Sequence, residues 1–158
     1  MPAAAARADA LLAQVEDALS AIVRQIRVPR LYERIAADAG LAVERGAYPA
    51  LRLVEESDGL RLSQLAQTLN LDLSTVSRHV KQLERAGLVT RADDKLDARA
   101  SVLRATAKGR RAVAAVNEAW RHFIAEVLAG WSATDVATLA PLLDRLAGDM
   151  GAAIEEHQ

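Results

Sequence analysis

In the stretch L-S-T-V-S-R-H-V-K-Q-L-E-R (73–85), three short hydroxyls, Ser74, Thr75 and Ser77, come first, and three cations, Arg78, Lys81 and Arg85, follow. A hydroxyl meets a base edge or a phosphate at close range, a guanidinium forks onto one guanine, and cations further along neutralise phosphates. On a 3.6-residue wheel Val76, Val80 and Leu83 share one side and must face a core. The opposite side then carries Ser74, Arg78, Lys81 and Arg85, with Thr75, Ser77 and Gln82 flanking. That order suits a helix whose N-terminus enters a major groove. Arg78 is the candidate for base readout, and Lys81 and Arg85 are candidates for phosphate contacts that fix register.

Charge along the chain points the same way. Residues 75–111 hold ten basic and four acidic side chains, whereas residues 1–74 hold eight and ten and residues 112–158 hold two and seven. A net charge of -1 therefore conceals one basic segment, the footprint of polyanion binding.

Other chemistries find no support. Cysteine is absent, which removes disulfides, thiolate metal sites and thiol nucleophiles. His79, His122 and His157 are scattered, and no glycine-rich phosphate loop, H-E-x-x-H or G-x-S-x-G occurs. The expectation is a protein that is not an enzyme and needs no cofactor or metal. His79, on the flank between core and surface, reads as a partly buried histidine with a backbone partner.

The elements that must hold this face follow from periodicity. Hydrophobic residues are 51% of the chain and aromatic residues only 3%, which favours helices. Leu11, Leu12, Val15, Leu19, Ile22, Val23 and Ile26 stripe one helix from about Arg7 to Arg27, after a frayed Ala-rich start, and Pro29 ends it. A short helix spans Arg30 to Asp38, and another runs through Leu51, Leu53 and Val54 to the turn at Ser57, Asp58 and Gly59. Residues 62–71 and 72–89 are two helices with a very short connection, capped by Ser63 and Asp72, a helix-turn-helix pattern. Leu88 to Ala92 and Ser101 to Thr106 are strands, joined by the polar hairpin loop D-D-K-L-D-A-R, and form a wing. Ala107 to about Gly130 is helical again, with Val113, Val116, Trp120, Ile124, Val127 and Leu128 at core spacing. Ser132, with Asp135 at its capping-box position, starts a last helix carrying Val136, Leu139, Leu142, Leu143, Leu146 and Met150.

The run from L-A-Q-T-L-N-L to G-L-V-T-R, followed by D-K-L-D-A-R and L-R-A-T-A-K-G-R, resembles the MarR (multiple antibiotic resistance regulator) family. The family's wing signature D-x-R-D-x-R is matched at Asp94, Asp97 and Arg99, but Leu96 stands where the family has a minor-groove Arg. The resemblance implies a mainly α fold: a winged helix-turn-helix with a small two-stranded wing, plus terminal helices that form a dimerisation region. It implies dimerisation helices over 1–42, a DNA-binding lobe over 43–107 and further dimerisation helices over 108–158. Arg99 would stabilise the wing by pairing with Asp94 or Asp97, and the minor-groove role would pass to Lys95.

On this reading the DNA-contacting residues are Ser63, Ser74, Thr75, Ser77, Arg78, Lys81, Arg85, Arg91, Lys95 and Arg99. Dimer contacts fall to Leu12, Val15, Leu19, Ile22, Ile26, Trp120, Leu128, Leu139 and Leu143, with Trp131 beside them. The implied partners are double-stranded DNA with a near-palindromic site, a second copy of the chain, and a small aromatic or anionic effector that releases a repressor. Arg24, Arg27, Arg34, Tyr32 and Tyr48 lie near the junction where such an effector would enter. With no apolar leader run and no membrane span in the sequence, a cytoplasmic protein is expected. The alternative is a winged-helix module that binds protein and not DNA; against it, the Ser74, Thr75, Ser77, Arg78 face lacks aromatic anchors.

Overall fold

A computed structural model of the chain describes residues 2–93 and 101–156. The hairpin loop that carries Lys95 and Arg99, together with Asp94, Leu96 and Asp97, lies outside the described residues, as does His157. The elements are α1 (Pro2–Ile26), α2 (Pro29–Asp38), a 3-10 turn η1 (Arg45–Ala47), α3 (Tyr48–Glu56), α4 (Leu62–Leu69), α5 (Leu73–Arg85), β1 (Val89–Asp93), β2 (Ser101–Ala105), α6 (Ala107–Val127) and α7 (Ala133–Glu155). They fall into two compact units, residues 1–119 and residues 120–158.

In the first unit α3, α4 and α5 close over a core of Leu51, Val54, Leu65, Val76, Val80, Leu83 and Leu103, all fully buried. The stripe of α5 is thus satisfied as its spacing required, and Ser74, Arg78, Lys81 and Arg85 are left on the outside. Asn70 makes the tight turn between α4 and α5 in the left-handed region (φ 50), which asparagine tolerates better than most residues. At the other end of α5, Gly87 (φ 70) takes the left-handed position and the Leu88 amide returns to the Leu83 carbonyl at 2.9 Å, which stops the helix and launches β1. The wing strands pair antiparallel, Val89 opposite Ala105 through Asp93 opposite Ser101.

Several expectations need correction. Ser63 is not a cap: Arg61, in extended backbone, is the N-cap of α4, and Ser63 lies inside the first turn. The Gln64 side chain accepts from the Arg61 amide at 2.9 Å, so the helix start is satisfied from within. α1 begins at Pro2 and not near Arg7, because the alanines between are the best helix formers. A contact without a signal in the pattern joins the wing to the lobe: Leu60 and Leu103 exchange two backbone hydrogen bonds at 3.1 and 2.9 Å.

In the second unit Trp120 packs on Phe123 with ring centroids 5.5 Å apart, and Trp131 is half exposed. Ser132 caps α7 as its spacing suggested: its Oγ accepts from the Asp135 amide at 3.1 Å and donates to the Asp135 carboxylate at 2.6 Å. No described helix is long and apolar enough to cross a membrane.

Candidate nucleic-acid interface

Asp72 organises the head of α5. Its carboxylate accepts from the Thr75 amide at 2.8 Å and from the Thr75 hydroxyl at 2.7 Å, and the Ser74 hydroxyl also donates to it. The bond from Ser74, then those from Thr75, hold this carboxyl well below the ordinary carboxylate range. A folded pKa below the unfolded one means that the ionised cap adds stability above the unfolded value and loses it only as pH falls through the lowered one. The cap therefore stays charged through neutral and mildly acid conditions. Both hydroxyls donate to Asp72, so each keeps its acceptor lone pairs uncommitted by these bonds.

Replacing Asp72 by Ala should release the Thr75 amide. Hydrogen exchange at that amide should accelerate relative to Val80, which is bonded within the helix; unchanged protection of Thr75 would mean that the cap contributes nothing.

Beyond this first turn, Ser74, Ser77, Arg78, Lys81, Gln82 and Arg85 line one open groove of about 580 Å³, joined by Glu44 from the segment before η1. The side chains of Arg78, Lys81 and Arg85 make no hydrogen bond or ion pair with other described residues. By contrast Arg34, Arg52, Arg91 and Arg104 are paired with Asp38, Glu56, Glu84 and Asp58. Three unpaired cations on one helix face repel one another and gain most from an external polyanion.

The structure thus gathers Ser74, Ser77, Arg78, Lys81 and Arg85 and leaves Thr75, Ser63 and Arg91, the other described members of the expected set, outside that groove. Thr75 is half-buried against Asp72, Ser63 sits exposed on α4 outside the groove, and Arg91 is held by Glu84 at 2.9 Å. Pattern reading missed Glu44, which lies far upstream of Arg78 in sequence, and it did not anticipate that Leu71 and Leu73 would stand exposed beside Asp72.

His79 departs from its expectation. It is buried, and its Nδ1 has no hydrogen-bond partner among the described residues; η1 lies against the other edge of the ring, where a Cβ on Gly46 would come within 2.8 Å of His79 Cε1. Gly46 is therefore required for this close approach, which fixes η1 beside the middle of α5. Among the described residues, no cluster of His, Cys, Asp and Glu has the makings of a metal site.

The MarR family profile matches residues 43–101. The HTH-type transcriptional regulator YxaD of Bacillus subtilis is 31% identical over 104 residues, 66% of this chain and 73% of that protein. Its counterpart YdgJ from the same organism is 30% identical over 109 residues, 69% of this chain and 66% of that protein. A MarR family protein from Bacillus stearothermophilus shares the fold with a TM-score of 0.77 at 24% identity, covering 90% of this chain and 97% of that one. Streptococcus pneumoniae FabT, solved in complex with DNA, superposes with a TM-score of 0.66 at 18% identity, covering 90% of this chain and 99% of its own. With the helix-turn-helix, the two-stranded wing and these likenesses in place, the chain belongs to the MarR family of transcriptional regulators.

Proposed function

We propose that this protein is a repressor that binds duplex DNA sequence-specifically as a homodimer and is released by a small aromatic or anionic effector. The carrying observation is the outer face of α5, where the hydroxyls of Ser74 and Ser77 lead and three unpaired cations follow. Arg78 reads a base, Lys81 and Arg85 grip phosphates, Arg91 joins them once it leaves Glu84, Lys95 enters the minor groove and Arg99 steadies the wing. Duplexes selected by the protein from a randomised pool should bind with an affinity that falls steeply with salt. Arg78→Ala should cost about 1–3 kcal/mol and relax preference at one base pair, whereas Lys81→Ala should weaken all sequences about equally. An unchanged sequence profile for Arg78→Ala would move that side chain to the phosphates.

Dimerisation is supported by apolar side chains that the single chain leaves uncovered. On α1, Leu12, Val15, Ile22 and Ile26 are exposed and Leu19 half-buried; Leu143 of α7 is exposed, and Trp120, Leu128 and Leu139 are half-buried. Stripes of this kind are the expected seam of an isologous dimer, which would set two copies of α5 on half-sites one DNA turn apart.

The effector half of the proposal draws on a cavity of about 370 Å³ in the first unit, walled by Leu41, Val43, Leu88, Ala112 and Ala115. Lys108 and Arg111 line it too, but Lys108 is committed to the Ala86 carbonyl at 2.7 Å. Arg111 is then the cation left for a carboxylate. Tyr32, Tyr48, Arg24, Arg27 and Arg34 do not line this cavity; Tyr32 donates to the Val43 carbonyl at 3.0 Å. With benzoate as probe, release from DNA should need roughly ten-fold more ligand in Arg111→Ala, the equivalent of one charge-assisted hydrogen bond. An identical benzoate response in that variant would discard this cavity.

A further inference from the structure

Glu44 is the one acid in the groove that Arg78, Lys81 and Arg85 share, and it makes no ion pair with any of them among the described residues. Its position is not a matter of chance drift. Glu44 is the residue before η1, its carbonyl accepts from the Ala47 amide at 2.9 Å, and η1 is pressed against His79 through Gly46. Its side chain takes no part in capping η1 and is exposed. A carboxylate held beside the middle of α5 faces whatever α5 faces.

Two outcomes are open to an acid at a DNA-facing surface. Against phosphates it repels, and it offsets one of the three cations. Against base edges it accepts a hydrogen bond, and the major groove offers amino donors only on cytosine N4 and adenine N6. Adenine places the N7 acceptor next to its amino group, where it opposes the second carboxylate oxygen. Cytosine has only a C–H there. In a G·C pair, moreover, the guanine acceptors that suit Arg78 and the cytosine amino group that suits Glu44 lie side by side on one edge.

We propose that Glu44 is a specificity residue that accepts from the N4 amino group of a cytosine in the major groove, at or next to the base pair contacted by Arg78. The proposal rests on the DNA-binding reading above and deepens it. It assigns discrimination to a residue outside the helix-turn-helix, contributed by the turn that packs on α5.

The test uses the full-length protein and a duplex it selects from a randomised pool. Competitor duplexes then replace each base pair in turn, with wild type, Glu44→Ala and Glu44→Gln side by side. Wild type should lose at least about five-fold when one particular C·G pair is replaced, the lower end of one good base contact. Glu44→Ala should reduce that penalty to under about two-fold at that pair alone, and Glu44→Gln should shift its preference from cytosine toward adenine, which glutamine contacts bidentately. Because Glu44 is exposed, all three proteins should share one urea midpoint.

Uniform tightening of Glu44→Ala on every sequence, with a steeper salt dependence, would show a purely repulsive acid and overturn the assignment. An unchanged profile would overturn it as well. In both cases selective binding by wild type leaves the regulator reading intact, whereas failure of wild type to select any duplex removes that reading and Glu44's role with it.

Discussion

Replacing Ile22 and Ile26 together by Asp is expected to lower affinity for a two-half-site duplex by about 10²–10⁴-fold, the gain that linking two binding events provides. Both side chains lie one turn apart on α1 and are about half exposed, 48% and 50%, in the single chain. Among the described side chains, none of those buried in the core belongs to α1, so the substitutions leave the winged lobe its packing. In the proposed isologous interface each change would occur twice, and four carboxylates would be set into an apolar seam. Sedimentation should show the variant at half the mass of wild type, with unaltered affinity for a single half-site. A wild type that sediments as a 17.0 kDa particle at micromolar concentration, or a double variant that still binds as tightly as a dimer, would reject the two-half-site arrangement.

Gly109→Ala should have the second large effect, on folding. Two opposing quantities decide its sign. Alanine is better than glycine inside a helix by about 1 kcal/mol. Yet a Cβ at this position would sit 2.1 Å from the Leu88 carbonyl oxygen, 3.0 Å from its carbon and 3.4 Å from Leu51 Cδ1. No rotamer relieves a contact with backbone. That carbonyl also accepts from the Thr106 amide at 2.9 Å, and the Thr106 hydroxyl donates to the Gly87 carbonyl at 2.7 Å while accepting from the Gly109 amide at 3.0 Å. Moving the first turn of α6 away would break this stitching where α5, β1 and β2 meet. Overpacking costs about 1–3 kcal/mol and more where backbone must yield, so the loss should exceed the propensity gain. The urea midpoint should fall with little change in slope; a midpoint equal to or above wild type would show that α6 can move freely off Leu88.

The parts of the site that the sequence disclosed are those governed by local physics. The spacing of Val76, Val80 and Leu83 determined which way α5 turns, and Asp72 announced its start, because both depend on residues within one or two helical turns. The same holds for the wing strands and for the Ser132 cap. What stayed hidden depends on contacts across the fold. Nothing in the pattern tells Ser63 from Arg61 as the cap of α4, since the decisive interaction is a glutamine reaching back to a backbone amide. Leu60 pairs as a single residue and has no alternation to betray it. Glu44 joins the groove from a turn that packs Gly46 on the His79 ring, far from α5 in sequence, and that ring's Nδ1 lacks the expected partner among the described residues.

The two hydrogen bonds between Leu60 and Leu103 also govern how the lobe comes apart. Leu103 is 1% exposed, so β2 cannot peel away without drawing a leucine out of the centre and stripping the segment between α3 and α4 of its only strand-like partner among the described residues. Opening along that margin is then the same event as melting of the whole lobe, and the amides of Leu60 and Leu103 should exchange with solvent at the rate set by complete unfolding.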